Sequence, residues 1–266
     1  MKRLPLDIVL PCGSEWEVEK KVALVIKKAG TDATSDAIIK VEERECLRII
    51  TDIAPLKLTS DNVLGPLDLG DLYIVVAPQE KLSIEGPSGA YVRLIGEQLY
   101  LEPGDRLGEP YLSRWDAQDR VKWVYVYGSV SLGTDEAWDK DVDLIPLTLS
   151  PGASEKYEIN DILMMKVSGG TVSYNQIHVR FKYKDREVYP RGPFSGKYGI
   201  DILMLPWPPS MTNNAQPFKL KNLPFTVEEG DRLQIIARNV SGSALTPSSG
   251  SAWKVEAILL AKYMKS

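Results

Sequence analysis

Histidine and cysteine are nearly missing from this chain of 266 residues, which has one of the first, His178, and two of the second, Cys12 and Cys46. Two cysteines are too few for a disulfide framework. A Cys12–Cys46 pair stays open, with two separate thiols as the expectation. No transition-metal ligand spacing exists among one histidine and two distant cysteines. A Ser-His-Asp site would have to use His178, and no Gly-x-Ser-x-Gly motif accompanies it. Neither a P-loop nor a dinucleotide-binding glycine fingerprint follows any apolar run. No apolar run approaches the roughly 20 residues of a membrane span. Pro5, Asp7 and Pro11 cut the first dozen residues too short for a signal-peptide core. The expectation is a protein made in the cytoplasm, with no cofactor, no metal and no catalytic residues. Charge of one sign is also lacking. The 32 basic and 36 acidic residues leave a net charge of −4, without the footprint of a nucleic-acid or anionic-membrane binder. Glutamine and asparagine number only 6 and 7, a scarcity that heat also selects.

What is present is a series of short apolar or alternating segments cut by Gly, Pro, Asn and Asp. Val22–Ile26, Leu72–Val76 and Ile202–Leu205 read as compact buried strands. Ile177–Tyr183 alternates, with Ile, Val, Phe and Tyr on one face and His178, Arg180 and Lys182 on the other. Val121–Tyr127 reads as the closing strand of the first half. Long helices are not expected, and Glu136–Asp141 offers at most one helical turn. Seven or eight strands per half predict an all-β protein of two tandem antiparallel β-sandwiches, with a jelly roll as the favoured variant. The junction is expected at Leu149–Ser154, giving domains 1–150 and 151–266, the second a repeat of the first.

The repeat is read from three pairs of segments. Leu99-Tyr-Leu-Glu-Pro-Gly-Asp-Arg-Leu107 matches Phe225-Thr-Val-Glu-Glu-Gly-Asp-Arg-Leu233 at five of nine positions. Asp71–Pro78 resembles Asp201–Pro208, and Trp16-Glu-Val-Glu resembles Tyr157-Glu-Ile-Asn. Within the first pair, Gly104 and Gly230 are expected at strained backbone angles, and Asp105 and Asp231 as turn caps.

Chemistry-bearing residues are weighed singly. His178, on the polar face of its strand, is expected at the surface. Asp135, Glu136, Asp139, Asp141 and Asp143 form an acidic cluster that reads as a solvated loop, with Ca²⁺ as the alternative. Trp207, in the stiff Pro206-Trp-Pro-Pro209, and Trp115, in a polar loop, are the candidate interface or ligand contacts. Each is weighed against the plainer role of plugging the end of its own sandwich.

Two jelly-roll-like units joined by these turns, without a catalytic constellation, resemble virion proteins of the double-jelly-roll kind. They also resemble turret, spike and tail-associated β modules of viruses of bacteria and archaea. The resemblance is one of architecture. It implies a non-enzymatic building block that self-assembles as a homo-oligomer, often a trimer, beside other virion proteins. The implied location is the virion, after synthesis in the host cytoplasm. The alternatives are a carbohydrate-binding protein with paired jelly rolls, for which a glycan would be the ligand, and a glycosidase on the same scaffold.

Overall fold

The computed structural model describes residues 2–49, 67–139, 141–143, 151–183, 186–190, 199–205, 218–219 and 225–266. The protein is all-β, as the alternation predicts. In chain order the first strands are β1 (Lys2–Pro11), β2 (Glu15–Glu17), β3 (Val22–Thr31), β4 (Ala37–Val41) and β5 (Arg44–Ile49). They are followed by β6 (Leu67–Asp68), β7 (Ile74–Val76), β8 (Lys81–Glu85) and β9 (Tyr91–Tyr100). A seven-residue helix, α1 (Tyr111–Ala117), comes next. The second series is β10 (Val121–Thr134), β11 (Asp141–Asp143), β12 (Glu155–Ser168), β13 (Ile177–Tyr183) and β14 (Arg186–Tyr189). It ends with β15 (Ile200–Asp201), β16 (Phe218–Lys219), β17 (Phe225–Glu228), β18 (Leu233–Asn239) and β19 (Ala252–Lys265).

One sheet of the first series runs β1-β9-β3, with β6 and β7 both on the far edge of β3; the other runs β2-β8-β4-β5. The second series repeats this order. β10-β19-β12 carries β16 and β17, and β11-β18-β13 carries β14 and β15. The same two-sheet strand order thus occurs twice along the chain. The ladders whose register is defined run antiparallel, among them β1/β9 over ten residue pairs.

The described residues group into two compact units. One runs to Tyr125 and takes in Tyr263–Lys265; the other runs from Val126 to Lys262. The division falls inside β10, whereas the sequence reading places it at residue 150. Val121–Tyr127 reads as the last strand of the first half, but β10 hydrogen-bonds to β19 and opens the second strand series.

In the first unit, β3 is buried on both faces. Leu24 and Ile26 lie on one side, while Ala23 and Val25 form a cluster with Val75, Leu99 and Tyr111 of α1 on the other. Burial on both faces is why Val22–Ile26 is an unbroken apolar run instead of an alternating one. In the second unit one core draws on both sheets, with Ile159, Met165 and Val255 from one and Val179, Phe181 and Ile235 from the other. Trp138 and Trp253 meet edge to face within it, 6.2 Å between ring centres.

Two local expectations change. Ile202–Met204 is a 3-10 turn instead of a strand, capped by the Asp201 carboxylate, which accepts from the Leu203 amide at 2.9 Å. Gly70–Leu72 is likewise a 3-10 turn before the short strand β7. Both runs are apolar over four or five residues, a length at which periodicity does not separate the two conformations.

Candidate functional site

The two Glu-x-Gly-Asp turns have one geometry. The Glu102 amide donates to Asp105 Oδ2 at 3.1 Å, and the Asp105 amide to the Glu102 carbonyl at 2.9 Å. The Glu228 amide donates to Asp231 Oδ2 at 3.1 Å, and the Asp231 amide to the Glu228 carbonyl at 2.9 Å. The third residue is left-handed in each, Gly104 at φ +94° and Gly230 at φ +76°. These four residues therefore have the turn geometry that their types predict. Their places in the fold differ. The first turn follows β9, the last strand of its series, while the second joins β17 to β18. The counterpart of the second is Ala77–Glu80 between β7 and β8. There the Ala77 amide donates to Glu80 Oε2 at 2.8 Å, the Glu80 amide to the Ala77 carbonyl at 3.1 Å, and Gln79 sits at φ +68°. Gly133–Glu136 and Gly152–Glu155 use the same device. The motif is a recurrent turn chemistry, not the marker of equivalent positions. Trp16 and Tyr157 likewise fall on non-equivalent strands, β2 and β12.

Trp115 lies on α1, not in a loop. The chain curls there because an apolar face of Tyr111 and Trp115, four residues apart, packs on the cluster of Ala23, Val25 and Leu99. The indole N–H donates to both Glu80 oxygens, at 3.0 and 2.9 Å, and the Arg44 guanidinium stands 5.1 Å over the ring. One edge and one face of this ring are engaged inside its own unit. Trp207 lies outside the described residues.

Two residues that composition does not single out anchor the same helix. Buried Arg114 donates to the backbone carbonyls of Tyr73 (2.7 Å), Val121 (2.6 Å) and Leu72 (3.2 Å). Burial pushes its pKa below the ordinary guanidinium value. Gln118, fully buried, accepts from the Val75 amide and donates to the Val75 carbonyl, each at 2.9 Å. β7 bonds to β3 through the neighbouring pairs Ile74/Ile26 and Val76/Leu24, so Val75 presents its amide outward. The Gln118 side chain thus stands in for a further strand at that point. At the opposite edge of the sheet, the Cys12 amide donates to the Ala90 carbonyl at 2.8 Å and continues the β1/β9 register. Even-numbered residues of β1 therefore face β9, and Pro5 and Pro11 fall at outward positions, where each removes a donor from the edge.

The expectation of a surface histidine is overturned. His178 is 3% and Arg180 0% exposed. β13 is covered on the side where solvent was expected. A Cβ on Gly199 would stand 2.5 Å from that of His178, and the Pro190 carbonyl accepts two N–H bonds from Arg180, at 3.0 and 2.6 Å. The alternation is read correctly, but Gly199 and Pro190, next to the strands that pair with β13, close on the polar side chains.

The acidic cluster does not form a solvated loop throughout. Trp138 in its middle is fully buried and bridges Leu245. Asp135 and Glu136 spend their carboxylates on the amides of Gly250 (2.9 Å) and Gly133 (2.8 Å), and no helical turn forms at Glu136–Asp139. Among the described residues no group of three His, Cys, Asp or Glu side chains is placed to hold a metal ion.

On the outer face of the second unit, Glu256 accepts from Tyr127 and Lys254, each at 2.8 Å. Burial raises the Glu256 pKa, but these two hydrogen bonds outweigh it and hold the carboxyl below its ordinary value. In the first unit the two cysteines are free, Cys46 buried and Cys12 partly exposed. Burial pushes the Cys46 thiol up to about 11.

With this geometry in hand, the chain was compared with known proteins: no family model matches it, and no curated protein does.

Proposed function

We propose that this chain is a structural protein of a viral particle, acting by self-assembly of identical copies. One observation carries the reading: the same two-sheet strand order occurs twice in one chain. Duplication supplies two similar rigid flanks, so few chains suffice to close a ring, and a trimer is the expected closed form. The side chains support a building block. Buried polar groups such as Arg114 and Gln118 lock the helix and a sheet edge in place. Carboxylates such as Asp105 and Asp231 are spent on turns, and others on ion pairs such as Asp7–Arg93 (2.7 Å). Light scattering over a range of concentration and salt tests the proposal. A discrete trimer, or growth into shells or sheets, is the expected result. A strict monomer at high concentration would overturn it.

Glycan binding is the second reading, favoured by Tyr174. Its ring is 65% exposed, and the next residue, Asn175, donates its amide to the Asp201 carboxylate. Saturable glycan binding abolished by Tyr174→Ala would favour this reading.

A further inference from the structure

A sheet edge is a row of backbone donors and acceptors that a protein must either block or use. The first unit blocks both edges of its β1-β9-β3 sheet, with Pro5 and Pro11 on β1 and Gln118 on β7. β10 is the corresponding outer strand of the second unit, and it is built differently. Val126-Tyr-Gly-Ser-Val-Ser-Leu-Gly-Thr134 contains no proline and no charged residue. Tyr127, Ser129, Ser131 and Gly133 are exposed, while Val126, Val130 and Leu132 pack on the core. The Gly133 amide and carbonyl both turn to Glu136, at 2.8 and 3.0 Å. By the alternation of a strand, the amides of Ser131, Ser129 and Tyr127 point the same way, away from β19. Among the described residues no strand pairs with that edge.

We propose that this edge pairs antiparallel with the same edge of a second copy, about a twofold axis through Val130. The strand's own sequence argues for a second copy as its occupant. In that register Ser129 faces Ser131, Tyr127 faces Gly133 and Leu132 faces Gly128, while Val130 meets its own copy on the axis. Such pairs favour association, and no like charges oppose one another. A twofold contact of this kind uses one patch on both subunits. The proposal rests on the self-assembly reading and adds a contact to it. A trimer closes on itself, whereas trimers joined by twofold contacts extend into a sheet or shell.

The test combines assembly mass with cross-linking in the full chain. Ser131→Pro removes an outward donor. Ser129→Lys sets like charges beside the axis without touching the core, and keeps the test valid if the proline variant fails to fold. Each is expected to weaken growth beyond the first closed oligomer at least tenfold. Ser129→Cys/Ser131→Cys in a Cys12→Ser background is expected to form disulfide-linked dimers, since directly opposed residues of a hydrogen-bonded pair sit about 5.5 Å apart. Unchanged assembly of Ser129→Lys, with no disulfide in the double variant, would overturn the edge pairing and leave self-assembly standing. A wild-type chain that stays monomeric would overturn both.

Discussion

At the residue scale the instructive groups are buried polar ones. The Tyr125 hydroxyl is fully enclosed and has no hydrogen-bond partner among the described residues, and burial pushes its pKa above the ordinary tyrosine value. An unpaired buried hydroxyl costs about 1–3 kcal/mol. Tyr125→Phe is therefore expected to leave the protein as stable or about 1 kcal/mol more stable, read as a higher urea midpoint with unchanged slope. A midpoint lowered by 1 kcal/mol or more would show that the hydroxyl is satisfied. Cys46 makes a second case. With its pKa raised to about 11 by burial, only about one thiol in ten thousand is ionised at pH 7. A maleimide is expected to label partly exposed Cys12 first and Cys46 only on unfolding, which mass spectrometry of a labelling time course checks. Cysteine count alone does not separate the two residues, because their difference is one of burial.

Elements are held by a few backbone-directed contacts. Gln118 replaces a strand at Val75, so Gln118→Ala is expected to cost about 2 kcal/mol and to speed hydrogen exchange at the Val75 amide. Slow exchange in that variant would argue against the edge-capping role. Gly96 sits on β9 opposite a shift of register in β3 between Ile26 and Lys28, and a Cβ there would stand 1.9 Å from the Val25 carbonyl oxygen. Gly96→Ala should cost about 3 kcal/mol, visible as a fall in Tm, because two hydrogen-bonded strands have no room to part. The strands themselves are largely legible. The alternation at 177–183, the apolar run at 22–26 and the turn residues at Gly104 and Gly230 all point to the elements found. α1 is not legible, because its seven residues offer only one turn of periodicity and their apolar face is meaningful only against β3.

For the molecule as a whole, the carboxylates set the response to acid. Asp7 is held below its ordinary value by hydrogen bonding to Arg93, and Glu256 by Lys254 and Tyr127 against the opposing effect of burial. A carboxyl whose folded pKa is depressed contributes stability above its unfolded value, ordinarily 4.5 for Glu256. That contribution is lost as pH falls through the folded value. Urea midpoints should therefore hold steady from neutrality to about pH 5 and decline below it. Glu256→Gln should show a smaller decline, and an equal decline in both proteins would remove Glu256 from the account.

By itself the sequence determined the class of this protein: short segments of period two, broken at turns, have to bury one face each and so make antiparallel sheets in two sets. It also determined the turns, because a carboxylate three residues after an amide, with a left-handed residue between them, closes locally. Only the tertiary structure decided which segments are equivalent. The best sequence match, Leu99–Leu107 with Phe225–Leu233, pairs like turns at unlike places, since turn chemistry is local while strand order is set by long-range pairing. It likewise decided that β10 pairs with β19, and that His178 and Arg180 are buried against Gly199 and Pro190. Burial depends on what packs against a strand, and no single strand carries that information.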